Sequence, residues 1–276
     1  MNPRSFSRYR GRAGVLALSL CITVPAFPIS VTAQAKSHRT AVSYAGVTLE
    51  YDASLAKEFL AETVPAVPLE NPADKPDGVA PRHVVISLKD SYGARLGRDP
   101  SSPYAVPHIF VYPTSDPSDP RFDEEFPTLR RAVTELNKLL ARRAGSVTES
   151  IPFLPWADER QLFIGRKKLI RFRNGRGVLF MTQYDQEESP LNNEYLVYTF
   201  QGLTDDNAWY VAAIFPVAAQ GLPATAAVDN PAALRAGYGE YIRKTSDRLN
   251  RLAVKKFTPG LGLLEEIVRS LKVGQR

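Results

Sequence analysis

The sequence predicts an α+β fold in which helices cover a central antiparallel sheet built on a meander with an Asn-Gly hairpin. Three observations predict it. Residues 169–217 hold four successive β-type runs, and the first two are joined by Asn174-Gly175, a strong short-range hairpin signal. Stripes of helical period stand on either side, at 129–143 and 234–252. Strands grouped between helices, rather than alternating with them, fit α+β and not a doubly wound sheet.

The elements follow in chain order. Arg4, Arg8, Arg10 and Arg12 form a basic start without an acid, and a weakly polar to apolar run covers 13–24. Pro25 and Pro28 break that run, and Ala33-Gln34-Ala35 gives the small-x-small pattern of a cleavage site. Residues 1–35 therefore read as a secretory signal peptide, with 36–276 as a single domain and a periplasmic or secreted destination. The apolar run falls short of the roughly 20 residues that span a bilayer, so no transmembrane segment is expected after leader cleavage. Leu18-Ser19-Leu20-Cys21 approaches a lipid-attachment box, but Leu20 stands where a small residue belongs.

Cleavage changes the bulk chemistry. The formal charge of +6 includes the four leader arginines, which leaves +2 on residues 36–276. That balance does not point to nucleic acid. Cys21 is the one cysteine, so residues 36–276 have no disulfide, thiolate metal site or cysteine nucleophile.

Residues 42–51 read as a strand or tight hairpin with Gly46 at the bend. Asp52 and Ser54 are possible caps for a short helix through Leu55, Phe59 and Leu60. Five prolines between Pro65 and Pro81 make that stretch extended and irregular. Residues 83–88 and 108–112 are short strands, and 113–120 is a loop carrying Asp116 and Asp119. Leu129, Val133, Leu136 and Leu140 trace the best central helix, which Gly145 ends. Residues 151–156 form a rigid apolar loop that plugs one end of the core. In the meander, Leu196, Tyr198 and Phe200 alternate with Tyr195 and Val197, so both faces are apolar and both need a cover. Leu234, Tyr238, Tyr241, Thr245, Leu249 and Leu252 share one helical stripe, with Gly237-Tyr238-Gly239 as a packing or kinking feature. After Pro259, a last amphipathic helix is expected over 261–273.

Catalytic motifs are absent: no G-x-S-x-G, H-E-x-x-H, P-loop or Rossmann glycine fingerprint occurs. No catalytic residue, metal or cofactor is assigned. His38 falls in the expected new N-terminus, and His83 and His108 read as satisfied histidines at strand starts. Asp116, Asp119, Asp123, Glu124 and Glu125 lack EF-hand spacing and fit the electrostatics of a helix start. Asp185, Glu187, Glu188, Asp205 and Asp206 read as solvated turn acids. Paired carboxylates facing each other at about 5–10 Å would instead give hydrolase chemistry.

Two sets of residues are binding candidates. Gln183, Tyr184, Asn192, Asn193, Tyr198, Gln201 and Thr204 could line a pocket for a polar ligand or form a buried hydrogen-bond network. Arg166, Lys167, Lys168, Arg171, Arg173 and Arg176 fall within eleven residues without an acid, with Arg171 and Arg173 expected on one face. They could attract a polyanion or simply protect an exposed sheet edge.

Residues 151–155, 174–178, Thr182-Gln183-Tyr184, Asn192-Asn193-Glu194 and 198–206 resemble a family of uncharacterised bacterial exported proteins and lipoproteins. The resemblance spans most of 36–276, is densest from 151 to 223 and implies no transferable activity. A looser similarity, to the PsbP/Mog1-like α/β/α sandwich, rests on the early hairpin, the central sheet and the terminal helix over 263–271. It implies an accessory or binding role. The expectation is an exported, soluble, non-catalytic binding or accessory protein of the cell envelope, with an envelope protein or a polar or anionic ligand as partner. The alternatives are a carboxylate-dependent hydrolase using Asp185 or Asp205 and a polyanion binder using 166–176.

Overall fold

Strand β1 (Arg39–Tyr44) turns back on β2 (Val47–Asp52) about Ala45-Gly46, whose φ values of 46° and 81° give the left-handed two-residue turn that suits a twisted hairpin. The computed structural model describes residues 39–66, 79–99, 102, 104–141, 150–155, 159–227 and 230–274. The expected leader with Cys21, and His38, Gly145 and Trp156, lie outside the described residues, as does most of the proline-rich stretch.

β3 (Glu58–Val64), β4 (His83–Lys89) and β5 (His108–Pro113) come next, then helices α1 (Phe122–Glu125) and α2 (Pro127–Ala141). β6 (Arg160–Gln161), β7 (Gly165–Phe172), β8 (Gly175–Thr182), β9 (Tyr184–Asp185), β10 (Val197–Thr204), β11 (Trp209–Pro216) and β12 (Ala218–Ala219) follow. The chain continues through α3 (Pro231–Ala236), α4 (Tyr238–Arg251), β13 (Phe257–Thr258), α5 (Leu261–Ser270) and β14 (Lys272–Val273).

The expected meander forms as β7-β8-β10-β11 and is extended by β5, β4 and β3 into a seven-stranded antiparallel sheet. Every residue of β10, an interior strand, is buried. Strand alternation sends Leu179, Met181, Tyr198 and Phe200 to one face, where the β1–β2 hairpin and Leu249, Leu264 and Ile267 of α4 and α5 cover them. Val178, Phe180, Leu203 and Tyr210 face the other way, against Leu129, Leu136 and Leu140 of α2 and against Ile151 and Leu154. Each fully buried Leu or Phe contributes about 1.5–3 kcal/mol of hydrophobic stabilisation. The class is therefore α+β, a large antiparallel sheet with five α-helices among the described residues.

Three local expectations are corrected. The short helix through Leu55 and Leu60 is not formed. Asp52 caps only a turn, accepting from Ser54 N at 2.9 Å, and the chain then extends into β3 because β4 offers a complete ladder. The 234–252 stripe is two helices, parted at Gly237. The last helix stops at Ser270, since Leu271 is extended (φ −63°, ψ 136°) and Lys272 and Val273 pair with β2.

Arg98 pins the loop between β4 and β5. Its buried guanidinium donates to the carbonyls of Tyr104, Leu196 and Val217 at 2.8, 2.6 and 2.8 Å.

Candidate functional site

The register of β8 and β10 separates the seven polar and aromatic candidates. Thr204 pairs with Gly175 at one end of β10, and Val197 pairs with Thr182 at the other, next to Gln183 and Tyr184. Eight residues of strand place those ends roughly 23 Å apart. All seven are buried except Asn193, which is half-buried.

At the far end, Thr204 Oγ1 donates to Asp206 and accepts from Trp209 N at 3.0 Å, which closes the β10–β11 turn. That bond from Thr204, aided by Ala208 N, lowers the pKa of the Asp206 carboxyl. Midway, Gln201 Oε1 accepts from Leu154 N and Tyr210 OH at 3.1 and 2.7 Å. Its Nε2 donates to Leu154 O and Thr199 Oγ1 at 3.3 and 3.1 Å. Tyr198 OH donates to Glu265 on α5 at 3.3 Å.

Three candidates gather at the near end. Gln183 Oε1 accepts from Asn192 N at 3.0 Å, and Nε2 donates to Ser189 Oγ and Pro190 O at 3.2 Å each. Asn192 Oδ1 accepts from Glu194 N and Tyr195 N, and Asn193 bonds Ala219 and Leu222. Nearby, Tyr184 OH accepts from Gln161 Nε2 at 2.9 Å, and its ring lies 4.1 Å from Phe153. The hydrogen bonds of this set run within the protein and brace residues 183–193.

Two residues on α4 complete that brace. Tyr238 OH donates to Ser189 O at 2.9 Å, and Tyr241 OH accepts from Leu191 N at 3.0 Å. Burial pushes the Tyr238 phenol up to about 12. Between the braced loop and α3 lies a cleft of about 590 Å³, with Asp185, Glu187, Glu188, Ser189, Leu234 and Arg235 on its walls. Ser189 Oγ donates to Asp185, and Arg160 stands 3.9 Å from Glu188. Sequence reading placed Tyr238 and Tyr241 in a core stripe and passed over Ser189 and Arg235. The available signal was a pair of phenols in a stripe that is otherwise apolar but for Thr245.

The basic run divides among several neighbours. Arg166 lies over the Phe257 ring at 4.8 Å and donates to Leu249 O and Leu252 O. Lys168 pairs with Glu265, Arg171 with Asp205 at 3.0 Å, and Arg173 with Glu50 at 3.3 Å. Arg171 and Arg173 thus turn to different partners, one in the β10–β11 turn and the other on β2. Lys167, Arg171 and Arg176 remain exposed.

The carboxylates Asp185 and Asp205 occupy opposite ends of the sheet, as the β8–β10 register requires. Asp116 bonds Ser118, and Asp119 accepts from Arg121 N, at the start of α1. Arg121 and Arg130 pair with Glu125 and Asp123 at 2.9 and 3.9 Å.

His83 and His108 share a face, each beside the Phe110 ring at 6.4 and 5.7 Å, but sit at opposite ends of the β4–β5 ladder. His83 Nδ1 donates to Pro81 O at 2.7 Å, and His108 Nδ1 is hydrogen-bonded to Ser87 Oγ at 2.9 Å. Burial lowers both imidazole pKa values, that of His108 to about 4, with Lys89 adding to the effect there. Among the described residues no group of three or more His, Cys, Asp or Glu is placed to hold a metal ion, and no helix is long and apolar enough to cross a membrane.

A second cleft, of about 420 Å³, opens where the β1–β2 turn overhangs the large sheet, with Thr63, Arg82, His83, Val84 and Trp209 on its walls.

No protein-family model matches the chain, and no curated protein is found to be similar to it.

Proposed function

We propose that this is an exported, non-catalytic binding or accessory protein of the bacterial cell envelope, with a ligand seat between residues 185–190 and α3. The supporting observation is how that cleft is built. Gln183 and Asn192 from below and Tyr238 and Tyr241 from α4 fix the loop that forms one wall. A wall held before the ligand arrives lowers the ordering cost of binding. Asp185, Glu187 and Glu188 outnumber Arg235 on its lining and favour a polar ligand with a cationic group. The basic, apolar and small-x-small pattern of residues 1–35 supports export and a periplasmic or secreted location. A sheet between two helical layers supports the PsbP/Mog1-like sandwich as its fold type.

Native mass spectrometry of the protein recovered from its host's secreted fraction tests this reading. The expected result is a chain that begins near residue 36 and carries an extra mass, which Glu187→Gln combined with Glu188→Gln removes. An unprocessed chain confined to the cytoplasm, or a bare chain with no cross-linked envelope partner, would overturn it.

A second reading, polyanion binding, has one observation in its favour: Lys167, Arg171 and Arg176 stay on the exposed side of the β7–β8 hairpin. It predicts heparin retention that falls steeply with salt.

A further inference from the structure

We infer that the Arg82–Trp209 cleft is a separate site for a small organic anion with a flat apolar body. It shares no wall with the cleft at residues 185–190 and does not depend on that reading. The fold assembles it from three places in the chain. Thr63 and Val84 are register partners on β3 and β4, and Trp209 opens β11 two residues before Val211, which packs on the same face as Val84. Ala45 and Gly46 of the β1–β2 turn form the overhang, and Tyr44 OH lies 3.3 Å from Thr63 Oγ1, tying that hairpin to the sheet. Arg82 precedes β4 and stands exposed at the mouth.

The lining chemistry selects the ligand. Arg82 and Thr63 carry donors, and among the described residues no carboxylate stands on the walls. Arg82 forms no ion pair among the described residues, so the charge of this exposed guanidinium on the lining is uncompensated there. A guanidinium fork matches a carboxylate through two parallel hydrogen bonds. The half-buried indole of Trp209 and the side chain of Val84 offer an apolar wall against which a flat ring can lie. The volume of about 420 Å³ falls among small-molecule sites, which span roughly 300–1,000 Å³. Burial keeps the His83 ring neutral near pH 7, and the bond from Nδ1 to Pro81 O fixes its tautomer. Among the described lining residues the cationic character of the cleft therefore rests on Arg82.

Isothermal titration of the intact chain with 2-naphthoate, and in parallel with the neutral 2-naphthalenemethanol, tests the assignment. Naphthoate should bind more tightly than the alcohol. Arg82→Gln should weaken naphthoate by about tenfold or more while leaving the alcohol unchanged, and Arg82→Lys should fall between. Arg82 is exposed, so both variants should keep the wild-type unfolding midpoint. Glu187→Gln should change neither ligand, which separates this site from the acidic cleft. The assignment fails if naphthoate does not bind at millimolar concentration. It also fails if Arg82→Gln leaves naphthoate affinity intact, or weakens acid and alcohol alike.

Discussion

Gln201 joins two layers through one side chain. Both of its amide atoms are used, and three of their four partners are Leu154 N, Leu154 O and Tyr210 OH. Its side chain is fully buried, so no water can replace it without a cavity. Gln201→Leu keeps most of the volume but strands those groups away from solvent. Each orphaned group costs about 1–3 kcal/mol, and partial relaxation of the loop should bring the total to about 2–4 kcal/mol. Urea unfolding would read this as a lower midpoint with an unchanged slope. A loss under about 0.5 kcal/mol would mean that the 151–155 loop is held by its apolar contacts alone. This residue also shows how far sequence goes at this scale. An amide in a run of alternating apolar residues reads correctly as either network or pocket. The choice between them depends on Leu154, 47 positions away, which no local pattern encodes.

Among the elements, the β7–β8–β10 ribbon depends on missing side chains. A Cβ at Gly177 would sit 2.3 Å from Gln201 O and 2.5 Å from Phe200 Cε2, and one at Gly175 would meet Leu203 O at 2.4 Å. Gly177 pairs with Gly202, where Phe200 lies across the bare backbone and meets Phe172 edge-on at 5.8 Å. Gly177→Ala should therefore part β8 from β10 or expel the Phe200 ring, at a cost of about 1–3 kcal/mol or more. Hydrogen exchange should quicken across Val178–Gln201 and spare β3 and β4, and uniform exchange would refute the local account. The Asn-Gly turn, the meander and the α2 stripe were legible because short-range pattern decides them. β3 and β14 were not, because pairing with distant chain decides them: β14 lies against β2 from the opposite end of the domain. The clefts share that origin. Ser189 meets Tyr238 across 49 residues, so the candidates at Gln183 and Asn192 could be recognised while the cleft they support could not.

For the whole molecule, packing the β4–β5 part of the sheet against aromatic rings makes folding sensitive to acid. His83 and His108 sit against Phe110 and Tyr112, and burial lowers both pKa values from 6.5, His108 to about 4. The unfolded chain takes up protons on these rings as pH falls through about 6.5, whereas the folded chain holds His108 neutral until about pH 4. Between those values the unfolded state binds more protons, so stability declines as pH falls. The two lowered carboxylates, Asp206 and Glu240, add to the decline only at lower pH. Glu240, held down to about 2 by its hydrogen bonds to Arg243 and Lys244, loses its contribution below 4.5. Among the described groups with shifted pKa values, the interval from pH 6.5 to 4.5 thus belongs to the histidines. His108→Gln retains a partner for Ser87 Oγ and removes one titrating ring. Wild type should lose stability between pH 7 and 4.5 by up to about 3 kcal/mol on account of His108, and the variant should lose correspondingly less. Equal pH slopes in the two proteins would show that His108 takes up its proton in the folded sheet without opening it.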